Sequence, residues 1–211
     1  MEDKLITLFM SKLVNGILEL IIVSFIPFMT WLIWRRKKVG FFDWIGLKKV
    51  QTKNISQLLQ IILGMALVFL LFSVVLFSWF DPSKTASADF SGKGIGALPA
   101  ILAYAILGTA LPEEIFFRGF LLKRLQGKLG FLGANLIQSL LFGLIHALMF
   151  IQLIGFLKSV MIFAFISLIA YVFGAINEKK AGGSILPSVF IHAFAKYCCR
   201  SLLSDVTPLE E

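Results

Sequence analysis

The stretch Leu111-Pro112-Glu113-Glu114-Ile115-Phe116-Phe117-Arg118-Gly119-Phe120 sets two carboxylates and a guanidinium inside an apolar run. Ionisable groups at membrane depth are costly and are kept where they pair or act. Pro112 suits the first position of a helix, where its missing N–H costs nothing. Glu113 and Glu114 then fall in the first turn, where the helix dipole favours negative charge. Glu114 and Arg118 are four apart and can pair on one face. Glu113 points about 100° away from Glu114. Glu114 is therefore expected to be the anchored acid and Glu113 the free one. A plainer reading, a helix start with a salt bridge near the membrane surface, fits the same local spacing.

The surrounding composition decides the solvent. Of 211 residues, 58% are hydrophobic and 15% are charged, and the mean hydropathy is +0.90. A soluble domain carries roughly 25% charged residues. The chain thus reads as an integral, multi-pass membrane protein, all-α because a bilayer leaves no water to satisfy unpaired backbone groups. The net charge is +8. Its basic residues lie between apolar runs, as orientation signals do, which argues against nucleic acid as a partner. Cys198 and Cys199 are adjacent and read as helix-packing residues. No cleavable signal peptide is expected, since Glu2 and Asp3 open the chain and no small-x-small site follows the first apolar run.

Working outward, about six spans are expected. The first runs from Leu5 to Trp34 and ends at the interfacial pair Trp31 and Trp34, followed by Arg35-Arg36-Lys37-Lys38. Glu19 lies inside it, either facing a wet cavity and supporting a site, or close to a boundary. Residues 35–56 are a polar connection whose Phe41, Phe42 and Trp44 suggest a place on the membrane surface. The second span is Gln57 to Phe80, and Asp81 to Gly96 reads as a loop. The third run extends from Ala97 to Leu122 and is expected to break or kink at Pro112. The fourth, fifth and sixth are Gly130 to Ile151, Ile154 to Ile176 and Ser184 to Leu203, with a turn over Asn177 to Gly183. These divide into a two-span region, 1–96, and a second region, 97–204. The connections around Arg35–Lys53, Lys123–Lys128 and Lys179–Lys180 carry most of the basic residues. They would share the cytoplasmic face, with both termini opposite.

Both histidines of the chain lie in apolar runs. Phe142 and His146 share a face of the fourth span, together with the polar Asn135, Gln138 and Ser139. His192 and Lys196 share a face of the sixth. A lone histidine on an apolar face is usually a packing residue. Two of them, with Glu113-Glu114-x-x-x-Arg118 on a third span, are costly unless they face one another or a wet cavity. By helical rise Glu113 lies roughly 15 Å and His192 roughly 18 Å from the basic face, but His146 comes out deeper, at roughly 27 Å. A carboxylate in a low-dielectric pocket is suited to take a proton from water. A neighbouring imidazole can orient that water, and a second can donate to the oxyanion. No serine or cysteine stands beside a base, so a covalent intermediate is not indicated. Zinc on Glu113, His146 and His192 is the alternative to a cofactor-free site, although H-E-x-x-H is absent. A small transporter or proton pathway would use similar groups, but it needs a polar route across the bilayer for which the spans after Glu19 offer little.

The ordered set Glu113-Glu114-x-x-x-Arg118, Phe142-x-x-x-His146 and His192-x-x-x-Lys196 resembles the CPBP family. Its members are the membrane-embedded CAAX prenyl proteases and bacteriocin-processing enzymes also called the Abi family. The family pattern is E-E-x-x-x-R, F-x-x-x-H and H-x-x-x-N, and the flanks Phe117-Arg118-Gly119 and Pro187-Ser188 match as well. The likeness covers about residues 97 to 200. It implies an intramembrane glutamic endopeptidase in which Glu113 and His146 activate water and His192 helps form the oxyanion site. Glu114, Arg118 and Phe142 would hold the motif. The implied substrate is a prenylated or hydrophobic peptide. The short chain and compact loops fit a prokaryotic cell membrane, and the basic connections put the site nearer the cytoplasmic face. Lys196 departs from the family's Asn and brings a charge that can stabilise an oxyanion, pair with Glu113, or snorkel to the interface. It leaves open a second role on the same scaffold, as a catalytically impaired bacteriocin-immunity or membrane interaction protein.

Overall fold

The computed structural model describes residues 2–77, 79, 88–90 and 93–204, of which 73, 74, 76, 77, 88 and 198–204 are described by backbone alone. Among these residues there is no strand. The helices are α1 (Glu2–Trp34), α2 (Phe41–Ile45), α3 (Ile55–Phe77), α4 (Leu98–Ala105), α5 (Leu111–Glu114), α6 (Lys123–Ile154), α7 (Phe156–Lys180) and α8 (Leu186–Ser204). Short 3-10 turns precede α4 at Ala88–Phe90 and Gly94–Ala97, and π-helical stretches cover Ile106–Ala110 and Ile115–Leu122. The end of the expected second span at 78 and 80, most of the loop 81–96, and the Cys198 and Cys199 side chains lie outside the described residues.

The protein is a multi-pass, all-α membrane protein. Among the described residues, four helical runs are long and apolar enough to cross a bilayer: Glu2–Trp34, Ile55–Phe72, Gly94–Ile154 and Phe156–Lys180. The third holds two expected spans, separated where Gly130 leaves helical geometry at φ 65, ψ 175. The sixth expected span is present as α8, but this helix carries His192, Lys196 and Arg200 and falls outside the apolar four. Ile22 on α1 and Leu63 on α3 are 70% and 73% exposed. In a bilayer such side chains face lipid at no cost, so these helices can turn apolar residues outward.

Several local expectations change. The chain does not break at Pro112. It stays helical from Leu98 to Leu122 by widening into π turns on both sides of α5. A π turn bonds i to i+5, which relieves the clash of the proline ring with the carbonyl four residues before it. Glu113 and Glu114 therefore do not sit at a free helix N-terminus, and the dipole argument for them lapses. Asn177 to Lys180 belong to α7 rather than to a turn. The chain reverses only at Gly182 and Gly183, both at positive φ. Trp44 and Ile45 are 7% and 0% exposed, so α2 packs its inner face against protein and leaves Phe42 outward.

By internal contacts the chain forms two compact units. The first comprises Met1–Ile22, Ile61–Pro112 and Val189–Glu211. Phe90, Ala97, Ala100 and Ile101 form its core with Leu8, Phe9, Tyr104 and Tyr197. Lys12 pairs with Asp89 at 2.5 Å and lies over the rings of Phe90 and Tyr104. Gly16 meets the π stretch so closely that a Cβ there would lie 2.9 Å from Leu107 Cβ. Small residues let membrane helices approach in this way. Thr109 Oγ donates to Ala105 O at 2.9 Å, serving a carbonyl near the change from α to π bonding.

The second unit comprises Val23–Gln60 and Glu113–Ser188. Its main packing is α6 on α7. A Cβ on Gly143 would lie 2.8 Å from Phe163 O and 3.0 Å from Ser167 N. The polar residues of α6 stitch the same interface. Asn135 Nδ2 donates to Tyr171 O, and Gln138 Nε2 donates to Asn135 Oδ1 and Ala170 O. Asn177 donates to Ser188 Oγ at 2.7 Å. Lys123 ties Glu178 and Gly183 O at one end of the unit, at 2.5 and 2.8 Å.

Candidate active site

Glu113-Glu114-x-x-x-Arg118 forms a two-layer arrangement within the second unit. Glu114 and Arg118 are both fully buried and pair at 3.0 Å. The pair needs no distant partner because four residues bring the two side chains onto one face. The guanidinium lies 4.4 Å from the ring centre of Phe142 and 5.4 Å from that of Phe173. Aromatic faces attract a desolvated cation, so Phe142 and Phe173 take part in holding the charge. Phe117 packs edge-on to Phe142 at 4.8 Å, with Ala170 completing the cluster.

Glu113 lies above this layer. Its Oε2 is 4.0 Å from His146 Nε2, and the two side chains are 24% and 14% exposed. His146 Nδ1 sits 2.9 Å from Phe142 O. A carbonyl can only accept, so Nδ1 carries the hydrogen and neutral His146 presents a lone pair at Nε2. Carboxylate and imidazole thus present acceptors to one another across a gap too long for a direct hydrogen bond. A water molecule can donate to both in such a gap. The greater depth counted for His146 does not keep it from Glu113. Regular helix in α6 resumes after Gly130, which takes only about 3 Å off the count; the 4.0 Å approach of His146 to Glu113 is what shows that the two groups are in reach of each other.

Of the residues expected at the site, Glu113, Glu114, Arg118, Phe142 and His146 come together in the second unit. His192 and Lys196 lie on α8 in the first unit, where His192 is 5% exposed. Among the described residues, no three His, Cys, Asp or Glu side chains are grouped so as to hold a metal ion. Phe173 was not expected at the site. Its signal in the sequence was slight, an aromatic next to Gly174 and Ala170 on the face of α7 that meets α6.

The second unit thus sets an acid against an imidazole on a second helix, beside a buried carboxylate–guanidinium pair, in a multi-pass helical membrane protein. Residues 95–198 match the family model described as type II CAAX prenyl endopeptidase Rce1-like, a likeness consistent with the CAAX protease family. Comparison with curated proteins and with solved structures found no match.

Proposed function

We propose that this protein is an intramembrane endopeptidase that hydrolyses a peptide bond of a prenylated or hydrophobic peptide with water activated by Glu113 and His146. The observation that carries this reading is the 4.0 Å approach of Glu113 Oε2 to a His146 ring whose other nitrogen is fixed on Phe142 O. Water held between them donates one hydrogen to Nε2 and the other to the carboxylate. Glu113 takes its proton as the water oxygen bonds to the scissile carbonyl carbon. The C–N bond then breaks, and the leaving nitrogen takes the proton from Glu113. His192 would stabilise the oxyanion, a role that rests on the family resemblance, and Lys196, where the family has Asn, could add its charge there. No metal enters the scheme. The site would work nearer the cytoplasmic face of a prokaryotic cell membrane.

The test is Glu113→Gln in the full chain, assayed on a fluorogenic prenylated peptide in proteoliposomes. Losing a general base costs about 10²- to 10⁴-fold, so cleavage should fall by at least that lower bound while the helical signal stays unchanged. Full activity in this variant overturns the assignment. Lys196 in place of the family's Asn favours a second reading, an immunity or interaction protein without catalysis. In that case the biological effect survives both His146→Ala and His192→Ala.

A further inference from the structure

At the basic end of the second unit, α2 and the start of α6 build an arrangement that the peptidase chemistry does not use. The Arg124 guanidinium stacks 3.9 Å above the Trp44 ring, and its Nη2 donates to Trp44 O at 3.2 Å. Trp44 is 7% exposed and is wedged against Phe120. Two N–H donors at this stack, Trp44 Nε1 and Arg124 Nε, are buried and find no acceptor among the described residues. Arg35 is near enough to act on Arg124 electrostatically, cation on cation. Asp43 is the acid next in sequence to Trp44, yet neither arginine forms an ion pair with it or with any other described acid. Unpaired buried donors and two neighbouring like charges are each unfavourable in isolation. An anion with several acceptor oxygens removes both penalties at once.

We propose that Arg35, Trp44 and Arg124 form a binding site for the phosphodiester headgroup of an anionic membrane lipid. Location argues for a lipid over a soluble anion. Arg35 directly follows Trp34, an exposed aromatic at the end of α1, and Arg124 follows the apolar run that ends at Leu122. Phe42 on α2 is 63% exposed beside the stack. Outward aromatics next to basic residues mark the headgroup level of a bilayer. Arg36, Lys37 and Lys38 extend the positive field around the site without entering the stack. A phosphodiester supplies two non-bridging oxygens. Arginine engages such a group with paired N–H donors, and the indole N–H adds one that carries no charge.

The full chain in neutral detergent is titrated with phosphatidylglycerol, with phosphatidylcholine of the same acyl chains, and with inorganic phosphate. Bound lipid is read by native mass spectrometry, and the shift in thermal midpoint is followed alongside. Phosphatidylglycerol is expected to bind and stabilise well beyond phosphatidylcholine. Arg124→Gln should weaken binding by about tenfold. Arg35→Gln should weaken it about fivefold, as for one charge near a lipid surface. Trp44→Phe keeps an aromatic face for Arg124 while removing the N–H together with part of the ring, and it should weaken binding measurably without unfolding the protein. Glu113→Gln should leave binding unchanged, which separates this site from the peptidase reading. Equal binding of the two lipids overturns the proposal. So does wild-type affinity in both Arg35→Gln and Trp44→Phe. Equal potency of inorganic phosphate, or displacement of the lipid by a peptide with a free C-terminal carboxylate at lower concentration, assigns the site to another ligand and also overturns it.

Discussion

The Glu114–Arg118 pair is fully buried on both sides and closes at 3.0 Å. At an effective dielectric of about 20, the attraction across that distance is roughly 5 kcal/mol. Desolvation of the two ions opposes most of it. The net worth of the pair is therefore small, while the cost of breaking it is large. Glu114→Gln removes the guanidinium's ion-pair partner and leaves it to the faces of Phe142 and Phe173 and the charge of Glu113, and should cost about 3–5 kcal/mol. Arg118→Met leaves a buried carboxylate and should cost about as much. The double variant removes both charges and loses mainly the cation–π contacts, which contribute about 2 kcal/mol when desolvated. It should be more stable than either single variant. Unfolding in mixed micelles, followed by far-ultraviolet circular dichroism, gives all four corners of the cycle. A coupling energy near zero, with the double variant equal to the sum of the singles, would refute the reasoning. So would a loss below about 1 kcal/mol in Glu114→Gln.

Other substitutions probe the backbone that positions the site. Gly143→Ala should destabilise by about 1–3 kcal/mol, because the new methyl meets Phe163 O and Ser167 N, which are backbone atoms and cannot swing aside. A thermal melt of this variant that matches wild type would show that α6 and α7 are less closely set. Gly130→Ala should cost about 1–3 kcal/mol, since φ 65, ψ 175 is essentially a glycine conformation. The same melt checks it, and a neutral result argues for continuous helix through position 130. Lys196→Asn restores the residue usual in the family. It should raise the rate of peptide cleavage, whereas Lys196→Ala should lower it, and equal rates in the two variants would remove Lys196 from the oxyanion site.

Much of this was readable from local spacing. The pairing of Glu114 with Arg118 follows from four residues of helix and nothing more distant. The same spacing places Phe142 and His146 together, and the contact proves closer than a shared face, since the ring nitrogen of one binds the carbonyl of the other. The meeting of Glu113 with His146 was legible only as a demand, that costly groups on separate spans find one another. What escaped the sequence depends on register or on tertiary packing. Pro112 signals a helix breaker by its own chemistry, and only the surrounding turns show that widening absorbs it. Asn177 reads as a turn residue beside Gly182 and Gly183, until Ser188 offers it a buried partner. Trp44 and Ile45 look like surface aromatic and aliphatic residues in an interfacial stretch. Gly119 decides otherwise, because its missing side chain admits Ile45, whose carbonyl oxygen would lie 2.6 Å from a Cβ there.

The wide turns on either side of Glu113 have an evolutionary consequence. A stretch bonded i to i+5 stores extra residues over the same axial length, and an ordinary helix recovers when one of them is deleted. Loss of a single residue within Ile115–Leu122 would thus be tolerated as secondary structure, and Lys123 and everything beyond it would keep nearly the same bearing on Glu113. The same loss within a regular part of α6 has no such reserve and would turn everything beyond it by about a quarter turn. Length variants among relatives should therefore gather in this short window.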